Sequence, residues 1–138
     1  MHDGPIILID DDYDDLTILT TVLKQEGITN SVKIFTNGSD ALEFLQTMTE
    51  KAFIILCDIN MPKMNGMELQ AAISADARLK EKSIPFVFFT TSATPLAIQQ
   101  AYKSSVQGFF EKGDTMEKLV RRMRIIIDYW KECKHPPG

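Results

Sequence analysis

The sequence FIILCDINMP, at residues 53–62, joins five apolar residues directly to the carboxylate of Asp58. An apolar run without alternation predicts a strand that is covered on both faces, as in a parallel sheet between helices. An unpaired carboxylate is too costly to bury in such a core. We therefore expect Asp58 at the carboxyl end of a central strand, on the edge where ligands bind in open α/β sheets.

The length and composition of the chain predict one ordinary globular domain. The 138 residues are 44% hydrophobic and 25% charged, with a formal net charge of −4, which argues against nucleic acid and anionic membranes as partners. No apolar run approaches the roughly 20 residues of a membrane span. The N-terminal residues lack the pattern of a signal peptide, and two cysteines form no disulfide framework, so we expect a reduced, cytoplasmic protein.

The rest of the chain alternates between short apolar stretches and helical patterns. The predicted strands are Ile6–Ile9, Val32–Phe35, Phe53–Cys57, Ile84–Phe89 and Gly108–Glu111. Apolar residues at helical spacing follow each strand, as at Leu16, Leu19 and Leu23 after the first one. Five strands that alternate with five helices predict a doubly wound α/β fold, in which helices cover both faces of a parallel sheet.

Several features of the helices can also be predicted. The predicted N-caps are Asp12, Ser39 or Asp40, Thr94 and Asp114. The helix after Pro95 is expected to bury Ile98, Ala101 and Tyr102. Residues 76–82 are rich in charge and are expected to form a solvated connection.

Polar or charged residues lie at the carboxyl ends of four predicted strands. They are Asp10 and Asp11, Asp58, Thr90 and Lys112. Two carboxylates roughly 4 Å apart repel by roughly 4 kcal/mol at an effective dielectric near 20, so the three aspartates are expected to take up protons or bind a cation. Hard oxygen ligands suit Mg²⁺. A carboxylate beside a divalent cation, an ammonium and a hydroxyl is suited to accept a phosphoryl group.

These motifs together resemble those of the receiver domains of two-component response regulators, the CheY-like family. The matching motifs are Ile9-Asp10-Asp11, Asp58-Ile59-Asn60-Met61-Pro62 with Asn65-Gly66, Phe89-Thr90, and Gly108-Phe109 before Lys112. The resemblance extends from about Ile6 to Trp130. It implies a single stand-alone receiver domain over residues 1–138, with a core at about 6–130 and a five-stranded sheet in the order 2-1-3-4-5.

The resemblance also implies a role for each residue of the predicted site. Asp58 would be the phosphoacceptor. Asp11 would bind Mg²⁺ directly and Asp10 largely through water, with Asp58 and the backbone carbonyl of Asn60 completing the metal site.

Three more residues would respond to the phosphoryl group. Thr90 and Lys112 would contact it, and Phe109 would be the aromatic switch residue that moves together with Thr90. The family commonly has proline after its lysine, often in a cis peptide. Gly113 stands there in this chain, so we expect a trans bond.

The implied function is signalling rather than enzymatic turnover. A sensor histidine kinase or a histidine phosphotransfer protein would be the donor, and an unknown downstream protein would be the target. The reporting surface would be the helix from Thr94 to Ser105, the fifth strand and the helix from Thr115, with Lys103, Lys118 and Arg122 as candidate contacts.

Three alternative functions share parts of this pattern. A haloacid dehalogenase-type phosphohydrolase needs a second aspartate two residues after the first, where this chain has Asn60. A flavodoxin-like carrier needs a neutral phosphate loop where the chain has three consecutive aspartates, residues 10–12. A pseudo-receiver that binds partners without phosphorylation would lack part of the set of Asp, Thr and Lys residues.

Overall fold

The computed structural model describes residues 3–91 and 93–135. Five strands are present in that part of the chain: β1 (Ile6–Ile9), β2 (Val32–Phe35), β3 (Ile54–Cys57), β4 (Phe86–Thr90) and β5 (Gly108–Glu111). The helices of the same residues are α1 (Tyr13–Gln25), α2 (Gly38–Thr47), α3 (Gly66–Ala75), α4 (Ala77–Lys82), α5 (Pro95–Lys103) and α6 (Met116–Glu132).

The strands form one parallel sheet in the order β2-β1-β3-β4-β5, which confirms the predicted topology. In its register Cys57 at the end of β3 pairs with Ile9 on one side and with Phe88 on the other. The carboxyl ends of β1 and β3 are therefore level, and β4 extends two residues further, to Thr90. Residues that follow these strands are brought to a common edge.

Alternate residues of the strands point into two separate apolar layers. One layer contains Ile7, Ile9, Ile55, Cys57, Phe86 and Phe88, with buried residues of α2, α3, α4 and α5. The other contains Ile6, Leu8, Ile54, Leu56, Val87 and Phe89, with buried residues of α1 and α6. Both faces of β1, β3 and β4 are buried, which explains why their sequences show continuous rather than alternating apolar residues.

The expectation of a solvated connection at residues 76–82 was wrong, because α4 forms there. The Asp76 carboxylate accepts the backbone N–H of Leu79 at 3.1 Å and so caps the helix. Leu79 is buried against the first apolar layer. Arg78 donates to the carbonyl oxygens of Gln46 and Met48 at the C-terminal end of α2. A single apolar anchor and these long-range bonds hold the segment as a helix.

Two predicted caps were also wrong. Asn37, not Ser39 or Asp40, caps α2 by accepting the N–H of Asp40 at 2.8 Å. Thr115, not Asp114, caps α6. Each prediction was displaced by one to three residues, within the usual uncertainty of helix ends.

The other two cap predictions were confirmed. Asp12 caps α1, and its carboxylate accepts the N–H groups of Asp14 and Asp15. Thr94 caps α5, with Pro95 at the first helical position.

The inward face predicted for α5 is only partly correct. Ala101 is fully buried, whereas Ile98 is 36% exposed and Tyr102 is 55% exposed. Ala97 and Ala101 pack against the first apolar layer, so the helix is docked through small side chains. The larger residues beside them remain at the surface.

Gly66, the first residue of α3, lies unusually close to the loop that carries Asp58. A Cβ at this position would lie 2.5 Å from the Asp58 carbonyl oxygen and 2.9 Å from the Phe88 ring. The Gly66 N–H also donates to the Ile59 carbonyl at 3.0 Å. The absence of a side chain therefore lets α3 begin directly against the Asp58 loop. None of the helices that the structure describes is long and apolar enough to span a bilayer.

We predict that Gly66→Ala lowers the free energy of unfolding by about 1–3 kcal/mol, because the new methyl group overlaps backbone atoms that cannot yield independently. Urea unfolding monitored by circular dichroism measures the change. The matched control is Gly38→Ala, also at the first position of a helix, where the nearest atom belongs to the flexible Met64 side chain at 3.0 Å. Equal losses in the two variants would contradict the prediction.

Candidate functional site

The backbone hydrogen bonds of the sheet continue one residue beyond three of its strands. They run from Asp10 to the Phe35 carbonyl at 3.0 Å, from Asp58 to the Ile9 carbonyl at 2.9 Å, and from Lys112 to the Thr90 carbonyl at 2.8 Å. Each bond fixes the backbone of a predicted site residue relative to the neighbouring strand. The site residues are therefore positioned by the sheet itself.

Three carboxylates meet at this edge, as predicted. Asp10, Asp11 and Asp58 each offer an oxygen, and these oxygens all lie within 4.8 Å of one another. Asp10 and Asp58 are buried, and Asp11 is exposed. Clustered carboxylate oxygens with one open side fit a hard divalent cation. That the Asn60 carbonyl is a further ligand stays a prediction.

Lys112 is buried at the same edge, with 5% of its surface exposed. Its ammonium donates to the Asp10 carboxylate and, at 3.0 Å, to Oδ2 of Asp15 in the first turn of α1. Within the described residues it forms no ion pair with Asp58. Asp15 was not among the predicted site residues. Its position in the first turn was the available signal, because helical side chains tilt toward the N-terminus and here toward the sheet edge.

The electrostatic environment favours a charged lysine. Burial raises the pKa of Asp10, and the hydrogen bonds from Lys112 and the Asp12 backbone only partly offset this effect. Burial lowers the pKa of Lys112, but the two carboxylates outweigh burial and the net pKa is raised. Lys112 therefore keeps its positive charge, because an ammonium between two carboxylates is stabilised from both sides.

Thr90 ends β4 and is completely buried. Its hydroxyl oxygen has no hydrogen-bond partner among the residues that the structure describes. A buried hydroxyl without a partner costs about 1–3 kcal/mol. The Thr90 hydroxyl is thus a buried polar group at the site with no hydrogen-bond partner in the described part of the chain.

Phe109 lies on β5 next to β4, as the sequence indicated. It is half-buried, and its ring meets Phe88 edge-on, with ring centroids 6.1 Å apart. It packs against the first apolar layer without being enclosed by it. The peptide bond between Lys112 and Gly113 is trans, as expected.

The surface formed by α5, β5 and α6 carries more apolar area than the sequence analysis predicted. Its exposed apolar residues are Leu96, Ile98, Tyr102, Ile125 and Tyr129. A groove of about 250 Å³ between these elements is lined in part by Tyr102, Phe109 and Tyr129. We call this area the α5-β5-α6 surface; it corresponds to the reporting surface proposed from the sequence.

Two of the three candidate contacts on this surface bind within the chain. Lys118 pairs with Asp114 at 2.8 Å, and Arg122 donates to the Glu111 carbonyl at 3.0 Å. Lys103 is exposed at the end of α5. A role for any of the three in binding a partner stays a prediction.

Several known proteins are similar to this chain in sequence and in fold. The response regulator Rcp1 of Synechocystis is 30% identical over 96% of this chain and 92% of Rcp1, and the chemotaxis protein CheY of Pseudomonas aeruginosa is 31% identical over 88% and 95%. The phosphorylated cyanobacterial phytochrome response regulator RcpA has a TM-score of 0.87 at 25% identity, covering 97% of this chain and 99% of RcpA. The Mn²⁺-bound form of Rcp1 has a TM-score of 0.84 at 28% identity, covering 98% and 99%. The model of the response regulator receiver domain matches residues 6–124. The chain therefore belongs to the response regulator receiver domain family of two-component systems.

Proposed function

We propose that this chain is a single-domain phosphoacceptor, with Asp58 as the residue that takes a phosphoryl group from a histidine kinase or a histidine phosphotransfer protein. The observation that carries the proposal is the meeting of three carboxylates, a buried ammonium and an unpartnered hydroxyl at one sheet edge. The relative RcpA has been solved in its phosphorylated form.

The proposed reaction is a transfer to the Asp58 carboxylate. One oxygen of Asp58 attacks the phosphorus of a phosphohistidine, an O–P bond forms and the P–N bond breaks. The imidazole leaves with a proton from solvent, and Asp58 becomes an acyl phosphate. The chain assists its own modification and does not turn over a separate substrate.

Asp10, Asp11 and Asp58 would hold a Mg²⁺ ion, with the Asn60 carbonyl as a further ligand. Bound there, the ion would neutralise negative charge on the aspartates and on the incoming phosphoryl oxygens. The carboxylate cluster favours such an ion, and the relative Rcp1 has been solved with Mn²⁺. Lys112 would supply a second positive charge to the phosphoryl group.

Thr90 would connect phosphorylation to the surface. Its hydroxyl gains an acceptor when a phosphoryl oxygen arrives, and a move toward that oxygen vacates space beside β5. Phe109 is half-buried and can enter that space, which changes the α5-β5-α6 surface. An unknown downstream protein would bind there. That the protein works in the cytoplasm, without nucleic acid or membrane as partner, stays a prediction.

We predict that Asp58 gains one phosphate from acetyl phosphate with Mg²⁺, because its carboxylate is the one that follows the central strand. Intact mass measures the gain, which should survive acid and be lost in hydroxylamine. Asp58→Ala should gain none. The control is Asp40→Ala, an exposed aspartate outside the carboxylate cluster, which should behave as wild type. Phosphate on Asp58→Ala at the rate of wild type would overturn the assignment.

The metal site is tested with Asp11→Asn, which removes one of the three clustered carboxylates. Titration calorimetry should show at least tenfold weaker Mg²⁺ binding. The melting temperature of the metal-free variant should stay level or rise, because a repulsion is relieved. Asp14→Asn carries the same charge change on an exposed residue outside the cluster, and should bind Mg²⁺ like wild type. An unchanged affinity in Asp11→Asn would argue decisively against the site.

Thr90→Val tests the switch, since valine has the shape of threonine without the hydroxyl. We expect the free energy of unfolding of the unphosphorylated variant to rise by about 1 kcal/mol. Beryllofluoride with Mg²⁺, a phosphoryl mimic, should shift the NMR signals of α5, β5 and α6 in wild type and much less in the variant.

The control for stability is Thr20→Val, because the Thr20 hydroxyl of wild type already donates to the Leu16 carbonyl at 2.8 Å. That variant should gain no stability. If beryllofluoride shifts only the Asp58 loop in wild type, the signal does not reach the α5-β5-α6 surface by this route.

A further inference from the structure

The Lys112 ammonium is held on one side of the site by two carboxylates from the start of the chain. Asp10 follows β1, and Asp15 lies in the first turn of α1. Within the described residues the Lys112 ammonium forms no ion pair with Asp58. The hydrogen bonds of the ammonium that the structure describes are therefore made to the carboxylates of the first strand end and of α1, and not to the proposed phosphoacceptor.

The two carboxylates hold the lysine in different ways. Oδ1 of Asp10 accepts the Asp12 backbone N–H at 2.9 Å, and only 3% of the Asp10 side chain is exposed, so this carboxylate is fixed. The Asp15 side chain is 32% exposed and reaches Lys112 from the helix surface. Asp15 is the adjustable partner of the pair.

There is space beside the ion pair. A cavity of about 190 Å³ lies between α1 and the loop that leads into α6, and both Asp15 and Lys112 line it together with Thr91 and Gly113. The lysine side chain is thus not enclosed on every side by packed atoms. This space lies on the α1 side of the lysine, so the ammonium is held there by its hydrogen bonds to Asp10 and Asp15 and not by tight packing.

We propose that Asp15 is a positioning residue that holds Lys112 back from Asp58 in the resting protein and so slows acceptance of the phosphoryl group. The proposal rests on the function proposed above. An ammonium has three N–H donors, and two of them point to Asp10 and Asp15 here. Full engagement of a phosphoryl group on Asp58 requires the lysine to loosen its contact with Asp15.

The test compares phosphorylation of Asp15→Asn and wild type by acetyl phosphate with Mg²⁺. We expect a three- to tenfold faster rate and tighter beryllofluoride binding in the variant, because the ammonium is released toward Asp58. The matched control is Asp14→Asn, which removes the same charge from the same helical turn on an exposed residue. Its rate should stay within a factor of two of wild type. Asp15→Glu restores the charge and should return the rate to that of wild type.

A second measurement follows the ion pair itself. The NMR signal of the Lys112 ammonium, assigned by its loss in Lys112→Met, should be protected from exchange with water in wild type and in Asp14→Asn. It should broaden in Asp15→Asn. A rate and an ammonium signal in Asp15→Asn that match those of Asp14→Asn would overturn the proposal, and so would a slower rate.

The two proposals fail in different ways. If no variant gains phosphate, the phosphoacceptor function fails. The ammonium signal then still decides whether Asp15 holds Lys112, because that measurement needs neither Mg²⁺ nor a phosphoryl donor.

Discussion

The site depends on the hydrogen-bonded ladder of a parallel sheet. The ladder brings the carboxyl ends of β1, β3 and β4 to one edge of the sheet. In its last bonds the N–H groups of Asp10, Asp58 and Lys112 donate to carbonyl groups of neighbouring strands. Main-chain bonds of this kind do not depend on side-chain rotamers, so the spacing of the backbone at the charged residues is fixed when the sheet forms. The geometry of the site is in this sense a property of the fold.

Burial of charge is the second constraint. Lys112 and Asp10 are almost fully enclosed, and removing one member of a buried ion pair costs about 3–5 kcal/mol. Loss of Lys112 would leave the buried Asp10 carboxylate without its ion-pair partner, whereas loss of Asp10 would leave Lys112 paired with the partly exposed Asp15. The open side of the site, with exposed Asp11 and partly exposed Asp15, is where charge can change at low cost. The buried pair of Lys112 and Asp10 fixes the arrangement of charges, and the more exposed Asp11 and Asp15 can change it.

Sequence reasoning recovered the sheet edge because apolar runs that end in a charged residue are a local signal, as at Asp58. It missed α4, which has only one cap, Asp76, and one buried anchor, Leu79. The helix is also held by hydrogen bonds from the Arg78 side chain to distant carbonyl groups at the C-terminal end of α2, which a local pattern does not show. It also missed the contact of Asp15 with Lys112, which are separated by 97 positions. Local patterns predicted which residues face the core or the edge. The partners that meet there depend on how α1 sits over the sheet.

The order of the strands places β5 at the border of the sheet, paired only with β4. A displacement of β5 strains one ladder, whereas a displacement of β3 would strain two. Phe109 and Phe110 are consecutive on β5, and they pack against opposite apolar layers. The two border strands, β2 and β5, are therefore the more compliant parts of the sheet, and β5 is coupled to both helical layers. Because Phe109 and Phe110 touch opposite layers, a displacement of this border strand would move side chains in both layers while the ladders between β1, β3 and β4 stay intact.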